Sequence, residues 1–117
     1  MRASTSQVTR GITNAGLPKV SLCDGKLRLN CNMQRADEGA FQKACEELLK
    51  SPVREVEIDL TACTYINSLA IGTLVDTVTQ LKADGKQVTV RVSREVGRFL
   101  HMAHLYHLFS YEIVEPA

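Results

Sequence analysis

Residues 64–68 read Thr-Tyr-Ile-Asn-Ser and join a predicted strand to a predicted helix, which places Ser68 at or near the first turn of that helix. Unpaired N–H groups and the helix dipole make such a position favourable for a phosphate group. Asn and Ser are also preferred N-cap residues, and the commoner role of such residues is to satisfy the helix end. Spacing alone therefore predicts a cap at Asn67 or Ser68 first, and a phosphate-accepting hydroxyl second.

The sequence does not predict a nucleophilic role for Ser68. The nucleophile-elbow pattern needs glycine two residues before and two residues after the serine, where this chain has Ile66 and Ala70. A phosphate-binding loop needs a glycine-rich segment, whereas Gly72 is isolated. The chain is therefore expected not to be an enzyme, with no catalytic residue and no cofactor.

Three histidines and four cysteines could in principle bind a metal ion. His101, His104 and His107 are three residues apart, and residues at i and i+3 share a helix face. No Asp, Glu or Cys among them completes a tetrahedral set. The cysteines form no CxxC pair and have no histidine at zinc-finger spacing. No metal site is predicted, and the four thiols are expected to be free: Cys23, Cys31, Cys45 and Cys63.

Composition excludes several classes of function. The 117 residues fit one domain, and 14 basic against 13 acidic residues leave a net charge of +1, which gives no electrostatic footprint for nucleic acid. The absence of Trp and the 5% aromatic content argue against a base-stacking surface. No segment has the roughly 20 apolar residues of a membrane span, and the N-terminus lacks a signal-peptide pattern. The expected location is the cytoplasm, without membrane insertion.

Residues 1–16 are predicted to be a flexible arm, because they contain few apolar residues, and residues 17–117 to be the folded domain. Alternating apolar residues around Asp24-Gly25 predict a β-hairpin. Helical or strand periodicity then predicts a helix over about 37–50 with Asp37 as its N-cap, a strand over 55–60 and a helix over about 68–82. A strand over 87–92 follows, and then a helix capped by Ser93 with its apolar stripe at Val96, Phe99, Leu100 and Ala103. A last strand is predicted over about 109–114.

This ββαβαβαβ order predicts a two-layer α/β fold with a mixed, mostly parallel sheet. Strands buried on both faces are continuously apolar, whereas these strands alternate. The helices are therefore expected mainly on one face of the sheet. The other face should carry the polar side chains of Arg28, Asn30, Glu55, Glu57, Asp59, Gln87, Thr89 and Arg91.

Residues 17–115 resemble a STAS domain, the fold of bacterial anti-sigma-factor antagonists. The resemblance is carried by the strand at 56–60, the segment 65–72 (Tyr-Ile-Asn-Ser-Leu-Ala-Ile-Gly), the turn at 84–86 and the apolar residues of the last helix. The family motif around its phosphorylated serine is Asp-Ser-Ser/Ala-Gly-Leu/Ile-Gly. Its phosphorylated serine matches Ser68 and its final pair matches Ile71-Gly72, while Asn67 replaces the family Asp and Ala70 replaces the first Gly.

The resemblance implies a partner switch in signal transduction and transcription regulation. Such a protein binds a serine-kinase anti-sigma factor with a Bergerat-type ATPase fold while its serine is unphosphorylated. Phosphorylation releases the complex, and a metal-dependent serine phosphatase resets it. The free protein is expected to be a monomer. The implied partner-binding residues are Tyr65, Ile66, Asn67, Ser68, Leu69, Ala70, Gly72, Asn32 and Gln34.

Two other classes of function stay open. A STAS module can act as an adaptor without phosphate chemistry, for example as an accessory subunit of a lipid-transport ABC system, and Asn67 and Ala70 favour that alternative. An enzyme or metal protein built on Ser68 or the histidines ranks third.

Overall fold

The computed structural model describes residues 19–105 and 109–114. Predictions for the N-terminal arm and for His107 lie outside these residues. The described elements are, in chain order, β1 (Val20–Cys23), β2 (Lys26–Leu29), a 3₁₀ turn (Arg35–Asp37), α1 (Glu38–Lys50), β3 (Glu55–Leu60), α2 (Ser68–Ala83), β4 (Gln87–Val92), α3 (Arg94–Met102) and β5 (Glu112–Ile113).

The strands form one sheet in the order β1-β2-β3-β4-β5, so neighbours in the sheet are also neighbours along the chain. β1 and β2 pair antiparallel, and every later pair is parallel. The predicted hairpin turn is present, with φ of 51° at Asp24 and 81° at Gly25. A Cβ at Gly25 would lie 2.7 Å from a Val53 methyl carbon, so both the backbone angle and the packing require glycine there.

One face of the sheet forms the core with the helices. The inward side chains of β2, β3 and β4 are buried, apart from the partly buried Val88, and they meet the apolar stripes of α1, α2 and α3. Right-handed crossovers between successive parallel strands place the helices on this face. The predicted two-layer architecture is therefore confirmed. The largest buried side chains include Leu27, Leu29, Phe41, Leu48, Ile58, Leu60, Leu74, Leu81 and Leu100.

The opposite face carries charges of alternating sign on neighbouring strands. Glu57 on β3 lies 3.5 Å from Lys26 on β2 and 4.0 Å from Arg91 on β4. Arg91 also lies 3.5 Å from Glu112 on β5. Opposite charges on adjacent strands stabilise the pairing, so this face needs no covering layer.

The stripe predicted for α3 is partly wrong. Phe99 is 42% exposed and Ala103 is exposed, whereas Gly97 is buried. The cause is close packing against β5, because a Cβ at Gly97 would lie only 2.7 Å from Ile113. Glycine at this position lets the edge strand approach the helix, and the helix turns that side toward the sheet.

Two further predictions are corrected at element ends. The last strand covers only Glu112–Ile113, although Phe109 before it is buried and contacts Tyr111 edge to face at 6.0 Å between ring centroids. Asp37 precedes α1 but makes no side-chain cap to it. Its carboxylate instead accepts from the backbone N–H of Gln34 and pairs with Lys19 at 3.2 Å, which closes the preceding turn.

All four cysteines are free, and Cys45 and Cys63 are buried. Burial raises the pKa of the Cys45 thiol to about 11, so it behaves as a small core residue. None of the helices found in residues 19–105 and 109–114 is long and apolar enough to cross a membrane.

Candidate functional site

Two loops meet where β2 and β3 end, at the same edge of the sheet. A parallel bridge joins Met33 in the first loop to Ile66 in the second, and the N–H of Met33 donates to the carbonyl oxygen of Tyr65 at 2.8 Å. Met33 and Ile66 are both buried. The carboxyl ends of neighbouring parallel strands thus bring the two segments of the predicted site together.

Asn32 fixes the first loop to the second. Its Oδ1 accepts from the backbone N–H of Thr64 at 2.7 Å and from the Thr64 hydroxyl at 3.0 Å. The side chain is therefore engaged within the site and positions the loop that leads to Ser68. Gln34, the other predicted residue of this loop, is exposed.

Asn67 is the N-cap of α2. Its Oδ1 accepts from the backbone N–H of Ala70 at 2.9 Å, and its backbone is extended, with ψ of 169°. Its Nδ2 donates to Oε2 of Glu38 at 2.5 Å. Ser68 is the first helical residue and is exposed. The choice that spacing left open is settled in favour of Asn67, so the Ser68 hydroxyl is not the cap.

An exposed surface surrounds Ser68. The side chains of Tyr65 and Leu69 on either side are 54% and 62% exposed, and Gly72 is exposed one turn further along α2. Ile66 and Ala70, which were predicted in the same surface, are each 2% exposed and belong to the core. They support the surface from beneath, because α2 turns Ala70 toward the sheet and the bridge to Met33 holds Ile66 in the core.

The residues under the loop were missed by sequence reasoning. Ser93, predicted only as the cap of α3, accepts from the N–H of Val96 at 3.1 Å and donates its hydroxyl to the carbonyl oxygen of Cys63 at 2.6 Å. The Cys63 thiol donates to the carbonyl oxygen of Tyr65 at 2.8 Å. Burial raises the pKa of this thiol, which keeps it protonated as a donor. The predicted cap at Ser93 was the one sequence signal that pointed to these contacts.

The dipole of α2 favours an added negative charge at Ser68, whereas the Glu38 carboxylate that Asn67 holds nearby opposes it. The hydroxyl stands at the positive end of a 16-residue helix whose first turn carries no acidic residue. Of the three histidines, His101 and His104 lie within the described residues, and both are exposed. Within the described residues, no group of three His, Cys, Asp or Glu side chains could hold a metal ion.

A family model described as "Mlab, STAS domain" matches residues 21–114, which include all of the sheet except Val20, the three helices and both loops of the site. The chain belongs to this STAS family. The resemblance predicted from residues 65–72 and the flanking elements is therefore confirmed. No curated protein matches the sequence.

Solved structures share the fold of this STAS domain at low sequence identity. An anti-sigma factor antagonist from Mycobacterium paratuberculosis has a TM-score of 0.70 and 18% identity, over 81% of this chain and 83% of its own. TM1081 from Thermotoga maritima has a TM-score of 0.62 and 16% identity, over 81% and 85%. Apo-SiaC from Pseudomonas aeruginosa has a TM-score of 0.58 and 18% identity, over 84% and 88%.

Proposed function

We propose that this STAS domain is a phosphorylation-controlled partner switch that acts in the cytoplasm. It binds a serine-kinase anti-sigma factor while Ser68 is unphosphorylated, and it is released when the kinase phosphorylates Ser68. A metal-dependent phosphatase then restores the binding form. The domain covers residues 17–117, is a monomer when free, and supplies no catalytic group of its own. The exposure of Ser68 at the start of α2, between exposed Tyr65 and Leu69, carries the proposal.

The contacts of the site support release without unfolding. The Ser68 side chain is exposed and Asn67 provides the cap, so a phosphate on Ser68 displaces neither hydrogen bond of the Asn67 amide. The positive end of the helix dipole stabilises the added charge. In a complex, the same phosphate would have to lose its water against the partner, which disfavours binding. Phosphorylation is therefore expected to change affinity far more than stability.

The test begins with intact-mass spectrometry of the protein purified from its own cell, with mapping of any phosphate. Each purified serine-kinase anti-sigma factor of that cell is then assayed for binding and for phosphorylation of the full chain. Ser68→Ala should bind and not be phosphorylated, whereas Ser68→Asp should fold and lose at least about tenfold in affinity. Thr79→Asp is the matched control, because Thr79 is exposed further along the same helix. Equal binding by Ser68→Asp and the wild type would contradict the mechanism.

A second candidate is an adaptor subunit that uses the same surface without phosphate chemistry, as in a lipid-transport ABC system. The observation that favours it is Asn67, a neutral residue whose amide is hydrogen-bonded to both Ala70 and Glu38. Unmodified Ser68 under every growth condition, together with stable co-purification of a transporter ATPase subunit, would make this candidate the better one.

A further inference from the structure

We propose that Glu38 is the acidic contact residue of the Ser68 surface, and that the protein partner places an arginine or lysine side chain against it. The inference rests on the proposed function, since it concerns the same surface. It assigns a contact to a residue that lies 30 positions earlier in the sequence, at the start of a different helix.

The position of Glu38 follows from the packing of α1 beside α2. Glu38 is the first residue of α1, and its Oε2 lies 2.5 Å from Nδ2 of Asn67. The amide of Asn67 bridges two elements, with its oxygen on the N–H of Ala70 and its nitrogen on Glu38. The carboxylate is thereby fixed next to the residue that precedes Ser68, and it remains partly exposed.

The negative charge of Glu38 is not neutralised by the described part of the chain. Asn67 is neutral, so its hydrogen bond orients the carboxylate and leaves the full charge in place. Ion pairs within residues 19–105 and 109–114 involve other acids, namely Asp37, Glu57, Asp59 and Glu112. The first turn of α2 adds no acidic residue. Glu38 therefore gives this surface a fixed charge that a basic partner side chain would match.

The surroundings suit a protein partner. Exposed Tyr65 and Leu69 lie next to the Asn67–Ser68 pair and offer apolar area to a facing surface. Apolar contacts that exclude water strengthen a charge pair at their centre. An aromatic side chain, an apolar side chain and one oriented carboxylate together make a small protein-docking surface, whose specificity comes from the charge.

The decisive experiment measures the affinity of the full chain for the serine kinase that the binding assay described under the proposed function selects. Glu38→Gln keeps the size and the acceptor oxygen but removes the charge, and we expect affinity to fall about tenfold and to become less sensitive to salt. In phosphorylation assays, KM for the chain should rise while kcat is unchanged. Glu47→Gln is the matched control, because it removes the same charge from an exposed position at the other end of α1. It should change affinity less than about twofold.

A charge exchange separates contact from folding. The double variant Asn67→Asp, Glu38→Gln exchanges the amide and the carboxylate. The glutamine amide at position 38 can then donate to the carboxylate at position 67, so the hydrogen bond is kept and the charge moves to position 67. This double variant should recover most of the lost affinity. Thermal unfolding of each variant verifies that it is folded. If the wild type binds the kinase and Glu38→Gln binds it with the same affinity, the inference alone is overturned. If the wild type binds no kinase, the proposed function is overturned and this inference with it.

Discussion

The side chain of Ser93 joins the N-terminus of α3 to the loop that precedes α2, because its hydroxyl donates to the carbonyl oxygen of Cys63 at 2.6 Å. The same hydroxyl oxygen accepts from the N–H of Val96 at 3.1 Å. One buried hydroxyl therefore satisfies a helix end and a loop carbonyl at the same time. The loop it holds is the one that presents Tyr65 and Ser68.

Ser93→Ala should lower the free energy of unfolding by about 2–3 kcal/mol, since it removes a helix cap and leaves a buried carbonyl without its donor. Urea denaturation measures the change. Ser68→Ala is the control, because it removes a hydroxyl from an exposed helical position. A loss below about 0.5 kcal/mol in Ser93→Ala would show that water replaces the hydroxyl.

Asn67→Ala should lower the free energy of unfolding by about 1–2 kcal/mol, because both hydrogen bonds of the amide are lost. Ser68→Ala should have almost no effect, since Ser68 is not the cap and alanine favours the helix interior. Spacing alone leaves the cap open between Asn67 and Ser68, and a cap at Ser68 would instead make Ser68→Ala cost ~1 kcal/mol. Denaturation of the two variants side by side decides between the assignments, and a larger loss in Ser68→Ala would contradict the structure.

Gly72→Ala should raise the free energy of unfolding by up to about 1 kcal/mol, because glycine is unfavourable within a helix and a Cβ there meets no other atom. If Gly72 faces the partner, the same methyl group should weaken kinase binding. Gly97→Ala provides the opposite case, since its Cβ would collide with Ile113 and should destabilise the fold. Calorimetry and a binding assay on both variants test the pair, and a destabilised Gly72→Ala would refute the prediction.

The ionised carboxylate of Asp59 should make the free energy of unfolding depend on pH in the acidic range. Burial alone would raise the pKa of its carboxyl group, but hydrogen bonds from the Thr61 hydroxyl and N–H, with Arg28 nearby, hold the pKa below its ordinary value of 3.8. Between the folded and unfolded pKa values the unfolded chain binds more protons, so stability is lost as the pH falls through this window.

The free energy of unfolding should therefore decline more steeply below about pH 4 in the wild type than in Asp59→Asn. Urea denaturation from pH 6 down to pH 3 measures the two slopes. Asp76→Asn, at an exposed position on α2, controls for the lost charge. Parallel pH profiles for the wild type and Asp59→Asn would exclude a contribution from this carboxylate.

The layers and the junction between β3 and α2 were predictable, because they depend on local patterns. Alternation at residues 55–60 and 87–92 has the period of a half-buried strand, and the predicted bounds agree with β3 and β4. The start of α2 at Ser68 also agrees with the structure. Each of these follows from the types of residues within one short window.

The contacts that complete the site were not predictable from such patterns. Asn67 and Glu38 are separated by 29 positions, and they meet because α1 packs beside α2. The exposure of Phe99 has a similar origin, since the missing Cβ of Gly97 lets β5 determine which side of α3 faces inward. Periodicity predicts the buried face of a single helix, whereas the Asn67–Glu38 contact and the exposure of Phe99 depend on the neighbouring elements that pack against that helix.

The agreement between strand order and chain order has a consequence for assembly. Each new strand is added at the free edge next to the strand made just before it, and no strand has to insert between two that are already paired. Beyond the hairpin, each parallel pairing joins residues 21 to 32 positions apart across one helix, so each step closes the loop of a single strand–helix–strand unit. Growth during synthesis can proceed from the β1–β2 hairpin outward, and the loop that precedes α2 gains its contact with Ser93 only when the next helix forms.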